Sequence, residues 1–467
     1  MLTLLILLNT FFVSFLDKPE KIEPALSPRA VEQRAQWNIP TDELDYPVCV
    51  HYVDSLRQMG ATICHTSRWF NGATVEMTTD LAKAVEALGF VTAVEMTRDN
   101  SHAIVRKRLQ KREWSVTTSP DPPMETDEQL AVYNLHPLHN AGYEGQGILM
   151  TVCDGGFTQA NTLSCFRQSL ELGHFDFTDD TDDFYGSTGT HGTECLSTIS
   201  GIMYDYHGAA TKAQYYLMRS EEMENDRESP KEMDNLVAAL EKADSLGVNV
   251  FSVSLGYAKF DNSSWTLKHE DLDGKKTRVS RAATIAARKG MLVCVAAGNE
   301  GDDNWQKISV PADADSVLTV GAVDTDRYIG YFSSYGPSAD GRVKPDVCAV
   351  GVGSAVIYPA YGVIYGNGTS FATPLLAGLA ASLWSALPEE NAMQIRERII
   401  RSSDRYANPD PTRYGYGIPD AWKAYTMTLD TDRPAVENGV KTTKMLRDGH
   451  LYILRRDKLY TITGTAL

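Results

Sequence analysis

The chain has 467 residues, enough for two or three domains and at least one large buried core. With 43% hydrophobic and 22% charged residues it reads as an ordinary soluble globular protein. A formal net charge of −17 argues against a nucleic-acid surface, because phosphate binding needs clustered Lys and Arg. The acidity itself names no substrate.

Met1 to Leu16 is almost wholly apolar and ends abruptly at Asp17, Lys18 and Glu20. A membrane span needs roughly 20 apolar residues, so the run suits the apolar region of a secretory signal better, with an uncleaved anchor as the other reading. No Lys or Arg precedes it, and no small-x-small cleavage site is obvious. The expectation is export to the periplasm, the cell surface or the medium.

Residues 17–97 are expected to form a small α+β domain. Val53, Leu56 and Met59 recur at helical spacing before Gly60, and Ala61–Thr66 and Ala73–Met77 flank the hairpin signal Asn71-Gly72. Leu81, Val85 and Leu88 make a second helical face, closed by Gly89, and Phe90–Met96 reads as a strand. Residues 98–127 lose this periodicity: Arg106-Lys107-Arg108-Leu109-Gln110-Lys111-Arg112 leads into Ser119-Pro120-Asp121-Pro122-Pro123, a solvated connector or a segment cut during maturation.

From 128 to 428 strands and helices alternate. Ile148–Cys153, Val248–Val253 and Met291–Ala296 are short apolar runs suited to strands buried on both faces. Helical faces lie between them, Leu236 to Ala243 ending at Gly247 and Ala282 to Lys289 ending at Gly290. Repeated βαβ units predict a three-layer α/β/α fold with a mainly parallel sheet. A last helix is expected near Ala421–Met427; residues 429–467 read as a short β tail with one hairpin from Lys444. The seven cysteines have no metal-ligand spacing and sit mostly in apolar contexts, so they read as small buried hydrophobes and not as a disulfide framework.

Hydrolysis of a peptide by a hydroxyl needs a nucleophile, a base of near-neutral pKa, and donors for the oxyanion. Asp154 ends the strand Thr151-Val152-Cys153-Asp154, at the carboxyl edge where open parallel sheets carry their sites. His191 stands in Gly189-Thr190-His191-Gly192-Thr193 at the head of a helix. Ser370, in Gly368-Thr369-Ser370-Phe371-Ala372-Thr373-Pro374, opens a long apolar helix, facing unpaired amides and the positive end of the dipole. Asn299 follows a strand in Ala296-Ala297-Gly298-Asn299. Each alone is ordinary: a turn Asp, a structural His, an N-cap Ser, a loop Asn.

Together the blocks Asp154-Gly-Gly, His191-Gly-Thr and Gly368-Thr369-Ser370-x-Ala372-x-Pro374 resemble the three signatures of the subtilisin family, in that family's Asp, His, Ser order. Ser254-Leu255-Gly256 and Ala296-Ala297-Gly298 are similar to the two family segments lining the primary specificity pocket, and Phe332–Gly336 and Lys344-Pro345-Asp346 resemble further landmarks. The resemblance covers about 128–425; the 46–97 unit looks like a subtilisin propeptide, which implies a folding aid and inhibitor as the chain's own partner. It implies a serine endopeptidase acting on protein or peptide substrates, with Ser370 as nucleophile, His191 as base, Asp154 as its orienting carboxylate and Asn299 in the oxyanion hole. The alternative is an inactive relative that binds peptides. A sedolisin-like acid peptidase would carry Glu where His191 stands and Asp where Asn299 stands, and no GxGxxG follows the first strand to suggest a nucleotide site. No cofactor is needed for such chemistry and no catalytic metal is expected. Relatives often hold structural calcium, but the acidic run Asp179–Asp183 has no coordinating spacing. Asp448–Leu454 resembles sorting tails of exported Bacteroidota proteins, with a plain β appendage as the other reading.

Overall fold

The computed structural model describes residues 8–19, 22–100, 126–178, 183–186, 189–222, 228–429, 442–447, 450–455 and 458–461, the last three as backbone. Most of the 98–127 connector and of the acidic run 179–183 lie outside these. The chain divides into two compact units, Met1–Tyr425 and Thr426–Leu467.

The first unit begins with a four-stranded antiparallel sheet. Its elements are β1 (Asn9–Phe15), α1 (Pro28–Gln36), α2 (Val50–Gln58), β2 (Thr62–Ser67), β3 (Gly72–Met77), α3 (Thr79–Glu86) and β4 (Val91–Arg98), and the strand order is β2-β3-β1-β4. The helices and hairpin expected from the 46–97 pattern are all present. The reading of 1–16 as a signal or anchor segment is corrected over the described part: Asn9–Phe15 is an inner strand, paired on both sides. Its apolarity is used within the fold. Phe11, Val13 and Phe15 pack with Leu56, Val75, Met77 and Val85 in a small core, while Phe12 turns to the other face, under the Arg278 guanidinium at 4.1 Å. The Cβ of any residue replacing Gly72 would stand 2.5 Å from the Val13 carbonyl, so the hairpin needs glycine to let β1 approach.

The stretch between β1 and α2 leaves this sheet and reaches the next domain. Ser27 caps α1 by accepting from the Ala30 amide at 3.1 Å, with Pro28 in the first turn. Arg29 donates to the Gly147 carbonyl at 2.9 Å and to Asn249 Oδ1 at 2.6 Å, and Trp37 stacks on Trp384 with centroids 5.5 Å apart.

Next come α4 (Asp127–Ala131), α5 (His136–Asn140), β5 (Leu149–Asp154), β6 (Leu170–Asp176), α6 (His191–Ser200), the short pair β7 (Ile202–Met203) and β8 (Tyr206–His207), and β9 (Gln214–Arg219). They are followed by α7 (Pro230–Leu246), β10 (Val250–Val253), α8 (Arg278–Arg288), β11 (Leu292–Ala296), β12 (Leu318–Val323) and β13 (Val347–Val350). The hairpin β14 (Ser354–Tyr358) and β15 (Gly362–Gly366) leads to α9 (Thr369–Ala386), α10 (Ala392–Ser402) and α11 (Ala421–Thr426).

Seven strands form one sheet in the order β13-β12-β11-β10-β5-β9-β6, and every pairing is parallel. Alternate residues of β5 face opposite layers: Met150 and Val152 join the core beneath α6 and α9, Leu149 and Cys153 the core beneath α7 and α8. This is the expected three-layer α/β/α arrangement. Gly247, at φ 76°, ends α7 in the left-handed conformation its place after the helix demands. Among the described residues no helix is long and apolar enough to cross a membrane. All seven cysteines are free, six of them buried.

The second unit is an antiparallel three-stranded sheet of β16 (Thr442–Arg447), β17 (His450–Arg455) and β18 (Lys458–Thr461). The tail thus has one strand more than the single hairpin expected.

Candidate active site

Because every strand of the large sheet runs the same way, the residues that follow β5, β10 and β11 emerge at one edge. Asp154, the last residue of β5, is 1% exposed. His191, the first residue of α6, donates through Nδ1 to both its oxygens, at 2.8 and 3.0 Å. The pair depends on close backbone approach: a Cβ on Gly192 would lie 2.5 Å from the Gly156 carbonyl and 2.9 Å from the Asp154 Cβ. Burial of the ring disfavours its charged form, but the Asp154 carboxylate outweighs that and raises the His191 pKa well above the ordinary imidazole value.

Ser370, second residue of α9, is 9% exposed, and its Oγ donates to the Ser254 carbonyl at 3.4 Å. The Ser254 hydroxyl donates back to the Ser370 carbonyl at 2.7 Å, tying the loop after β10 to the head of α9. Phe371 lies against the His191 ring, centroids 5.7 Å apart, so α6 and α9 meet where His191 and Ser370 begin them.

Asn299 is turned by its neighbour. Thr369 donates through both its amide and its hydroxyl to Asn299 Oδ1, each at 2.9 Å, which leaves Nδ2 directed elsewhere. A methyl group placed on Gly368 would stand 3.6 Å from the Ser370 amide nitrogen and 3.7 Å from Asn299 Nδ2. The two donors therefore border one small volume beside Ser370. Ser254, Leu255 and Gly256 follow β10, while Ala296 ends the adjacent β11 and leads into Ala297 and Gly298. Cβ atoms on Gly256 and Gly298 would stand 2.1 and 3.1 Å from Ser309 Oγ, so both segments border the same ground.

Two neighbours escaped the sequence reading. Cys195 lies four residues after His191 on α6, hence on the same helix face, a signal available in the spacing. Its thiol donates to the Ser370 carbonyl at 3.3 Å and stands 3.9 Å from His191 Nδ1; burial pushes its pKa up to about 11, so it remains a neutral thiol. Ser309 follows no motif and no periodic pattern identifies it. Among the described residues, Glu221, Glu228 and Glu232 also bring their carboxylate oxygens within 4.8 Å of one another, just beyond the end of β9.

The sequence model of the subtilase family matches residues 107–417, and that of the peptidase S8 propeptide domain of Bacteroidota matches residues 10–114. Serine protease AprX of Bacillus subtilis (strain 168) is 27% identical over 311 residues, covering 59% of this chain and 66% of that protein, just under two thirds of its length. Subtilisin DY of Bacillus licheniformis is 28% identical over 281 residues, covering 59% of this chain and 90% of its own. Among solved structures, MycP1 from the ESX-1 type VII secretion system superposes with a TM-score of 0.53 at 21% identity, over 68% of this chain and 91% of that one, a likeness of fold.

Proposed function

This chain belongs to the subtilase family, and on that premise we propose that it is a serine endopeptidase, made as a proenzyme, which cleaves peptide bonds in proteins through an acyl-enzyme. The observation that carries the reading is the Asp154–His191 pair, held at 2.8 Å beside the helix that Ser370 opens.

In this mechanism Ser370 Oγ attacks the scissile carbonyl while His191 Nε2 takes its proton. Asp154 holds Nδ1 protonated, keeping Nε2 free to act, and stabilises the imidazolium that forms. The negative oxygen of the tetrahedral intermediate enters the volume bordered by the Ser370 amide and Asn299 Nδ2. His191 then returns the proton to the leaving amine, and water repeats the sequence on the acyl-enzyme. The steps use side chains and amides of the chain alone, with no cofactor. Ser254-Leu255-Gly256 and Ala296-Ala297-Gly298 flank the side chain before the scissile bond.

The four-stranded N-terminal domain is read as the propeptide, folding aid and inhibitor, and the connector at 98–127 as the place where it is cut. Export belongs to the same proposal, supported by the Bacteroidota propeptide match and the subtilisin relatives. A fluorophosphonate probe tests the central claim: the protein freed of its propeptide should be labelled, and Ser370→Ala should abolish labelling and lower turnover by roughly 10⁶-fold, the size seen for a subtilisin nucleophile. An unlabelled, folded wild-type protein would favour the inactive peptide-binding alternative.

A further inference from the structure

Several ion pairs join the propeptide domain to the catalytic domain, and most lie along the helices, away from the strand ends. Arg278 meets Glu95, Arg68 meets Asp244, and Lys289 meets Asp42 and Asp45. Lys231, in the first turn of α7, lies 4.0 Å from Glu76 of β3, and beside it one further pair sits at a strand end. Arg219, the last residue of β9, is in register with Asp154, and the Ser220 amide donates to the Asp154 carbonyl at 3.1 Å. Glu222 follows two residues later, on the same rim as His191 and Ser370.

There Glu222 holds a guanidinium in a fork. Arg98, the final residue of β4, donates from Nη1 to Oε1 at 2.9 Å, and its Nη2 lies 2.8 Å from Oε2. The two side chains are 9% and 7% exposed. Lys231 Nζ, 2.9 Å from Oε1, adds a second cation. The surroundings are acidic: the Glu222 amide donates to Glu232 Oε1 at 3.3 Å, and Glu232 belongs to the cluster with Glu221 and Glu228. When the propeptide leaves, Arg98 leaves with it, while Glu222, Lys231 and the cluster stay.

Resting on the endopeptidase reading above, we propose that Glu222 is a specificity residue of the mature enzyme: it binds the guanidinium of a substrate arginine on the amino side of the scissile bond, in the place Arg98 holds in the proenzyme. Three observations converge. The fork geometry suits a planar guanidinium and not an ammonium, so arginine is selected over lysine. Glu222 follows β9 at the strand-end rim, where the proposed mechanism places the substrate. Arg98 is the first residue of the 98–127 connector, so relative to a cut further along it is itself an amino-side arginine. The chain's own connector carries Arg106, Arg108 and Arg112, so basic sequence is what the enzyme meets first.

The test uses enzyme freed of its propeptide and paired fluorogenic peptides carrying arginine, lysine or neutral citrulline at each position before the scissile bond. At one position arginine should raise kcat/KM about tenfold over citrulline, with lysine between them, and added salt should shrink the ratio. Glu222→Gln should bring the ratio to about one. Equal cleavage of arginine and citrulline peptides at every position overturns the proposal, as does a ratio that survives Glu222→Gln. A Glu222 that serves only to dock the propeptide gives a third pattern, in which Arg98→Gln speeds propeptide release while mature enzyme ignores arginine; that also overturns it. If Glu222→Gln does not fold, the wild-type ratio alone decides. If no peptide is hydrolysed, the endopeptidase reading has failed separately, and polarisation binding of the same labelled peptides to Ser370→Ala still reads the arginine preference.

Discussion

Helix α7 presents two faces of opposite chemistry. Its inner face, Leu236, Val237, Ala239, Leu240 and Ala243, is sealed in the apolar core beneath the sheet. Its outer face carries Asp234, Asn235, Glu241 and Asp244 against the propeptide domain. There Asp244 takes Arg34 at 2.8 Å and Arg68 at 2.6 Å, Glu241 accepts from the Ser67 hydroxyl at 2.5 Å, and Asn235 lies 3.1 Å from His65 Nε2. Both faces are buried in the proenzyme, but only one is suited to being uncovered. Apolar surface returned to water costs about 25 cal/mol per Å², whereas carboxylates whose partners leave regain hydration that burial had removed. On the proposed maturation, a permanent interface and a temporary one are thus built on one helix.

The largest expected effect breaks the temporary face. Asp244→Ala leaves the buried Arg34 and the half-buried Arg68 without their shared carboxylate, a loss of roughly 3–5 kcal/mol. It should appear as weaker inhibition by the propeptide and a lower proenzyme Tm, with little change in the Tm of the released catalytic domain. Leu240→Ala, at 1% exposure, is the control on the permanent face: about 2–5 kcal/mol, lost equally from proenzyme and mature enzyme. If both variants affect the two forms alike, the contrast between the faces is wrong.

Changing pH sharpens the comparison further. Glu222, despite burial, is lowered to about 2 by Lys231 and Arg98, and Asp45 is lowered as well, burial being outweighed by Lys289, the Asp42 amide and Arg34. Lowered carboxylates stabilise the complex above their ordinary range, and that stability is lost as pH falls through the folded values. Asp234 and Glu241, raised by burial in spite of Arg278 and Arg68, work in the opposite sense. Propeptide affinity measured from pH 5 down to 2 should therefore fall for wild type with a slope that Arg98→Gln reduces. At the other end, the raised His191 pKa means that the Asp154 pair stabilises fully below the ordinary imidazole value and is lost as pH rises through the folded one. Under the proposed mechanism His191 must be neutral to act as base, so kcat/KM should rise over that same alkaline window; a profile peaking below about pH 5 would contradict the assignment.

The smallest effect concerns the arm that carries α1. Ser27 both caps that helix and donates to the Leu246 carbonyl at 2.9 Å, at the end of α7. Ser27→Ala should cost about 1 kcal/mol of proenzyme stability, read as a small fall in Tm.

Much of this molecule was legible in one dimension. The strand β5, the helix opened by Ser370 and the glycine stop of α7 follow from apolar runs, period and turn chemistry, which act between near neighbours in the chain. The hairpin at Asn71-Gly72 was equally plain. At Asn9–Phe15 the fold overrides the signal or anchor expectation, because apolarity reports only that a segment avoids water. A signal, an anchor and a strand covered on both faces look alike until the covering surfaces, here the core of its own sheet and Arg278, are known. The amphipathic α1 had a signal in Ser27-Pro28, but its partners, Asn249 and Trp384, are more than 200 residues away.

What the sequence determined by itself was the set of chemical groups and the local elements that carry them: three motif blocks, their order, and a βαβ rhythm that puts strand ends on one edge. What only the tertiary structure decided was adjacency at long range: Arg98 with Glu222, Thr369 turning Asn299, and Gly256 and Gly298 facing Ser309. Side-chain period and turn preference act over a few residues, whereas these contacts depend on how a twisted sheet and its layers close, which the chain specifies only as a whole.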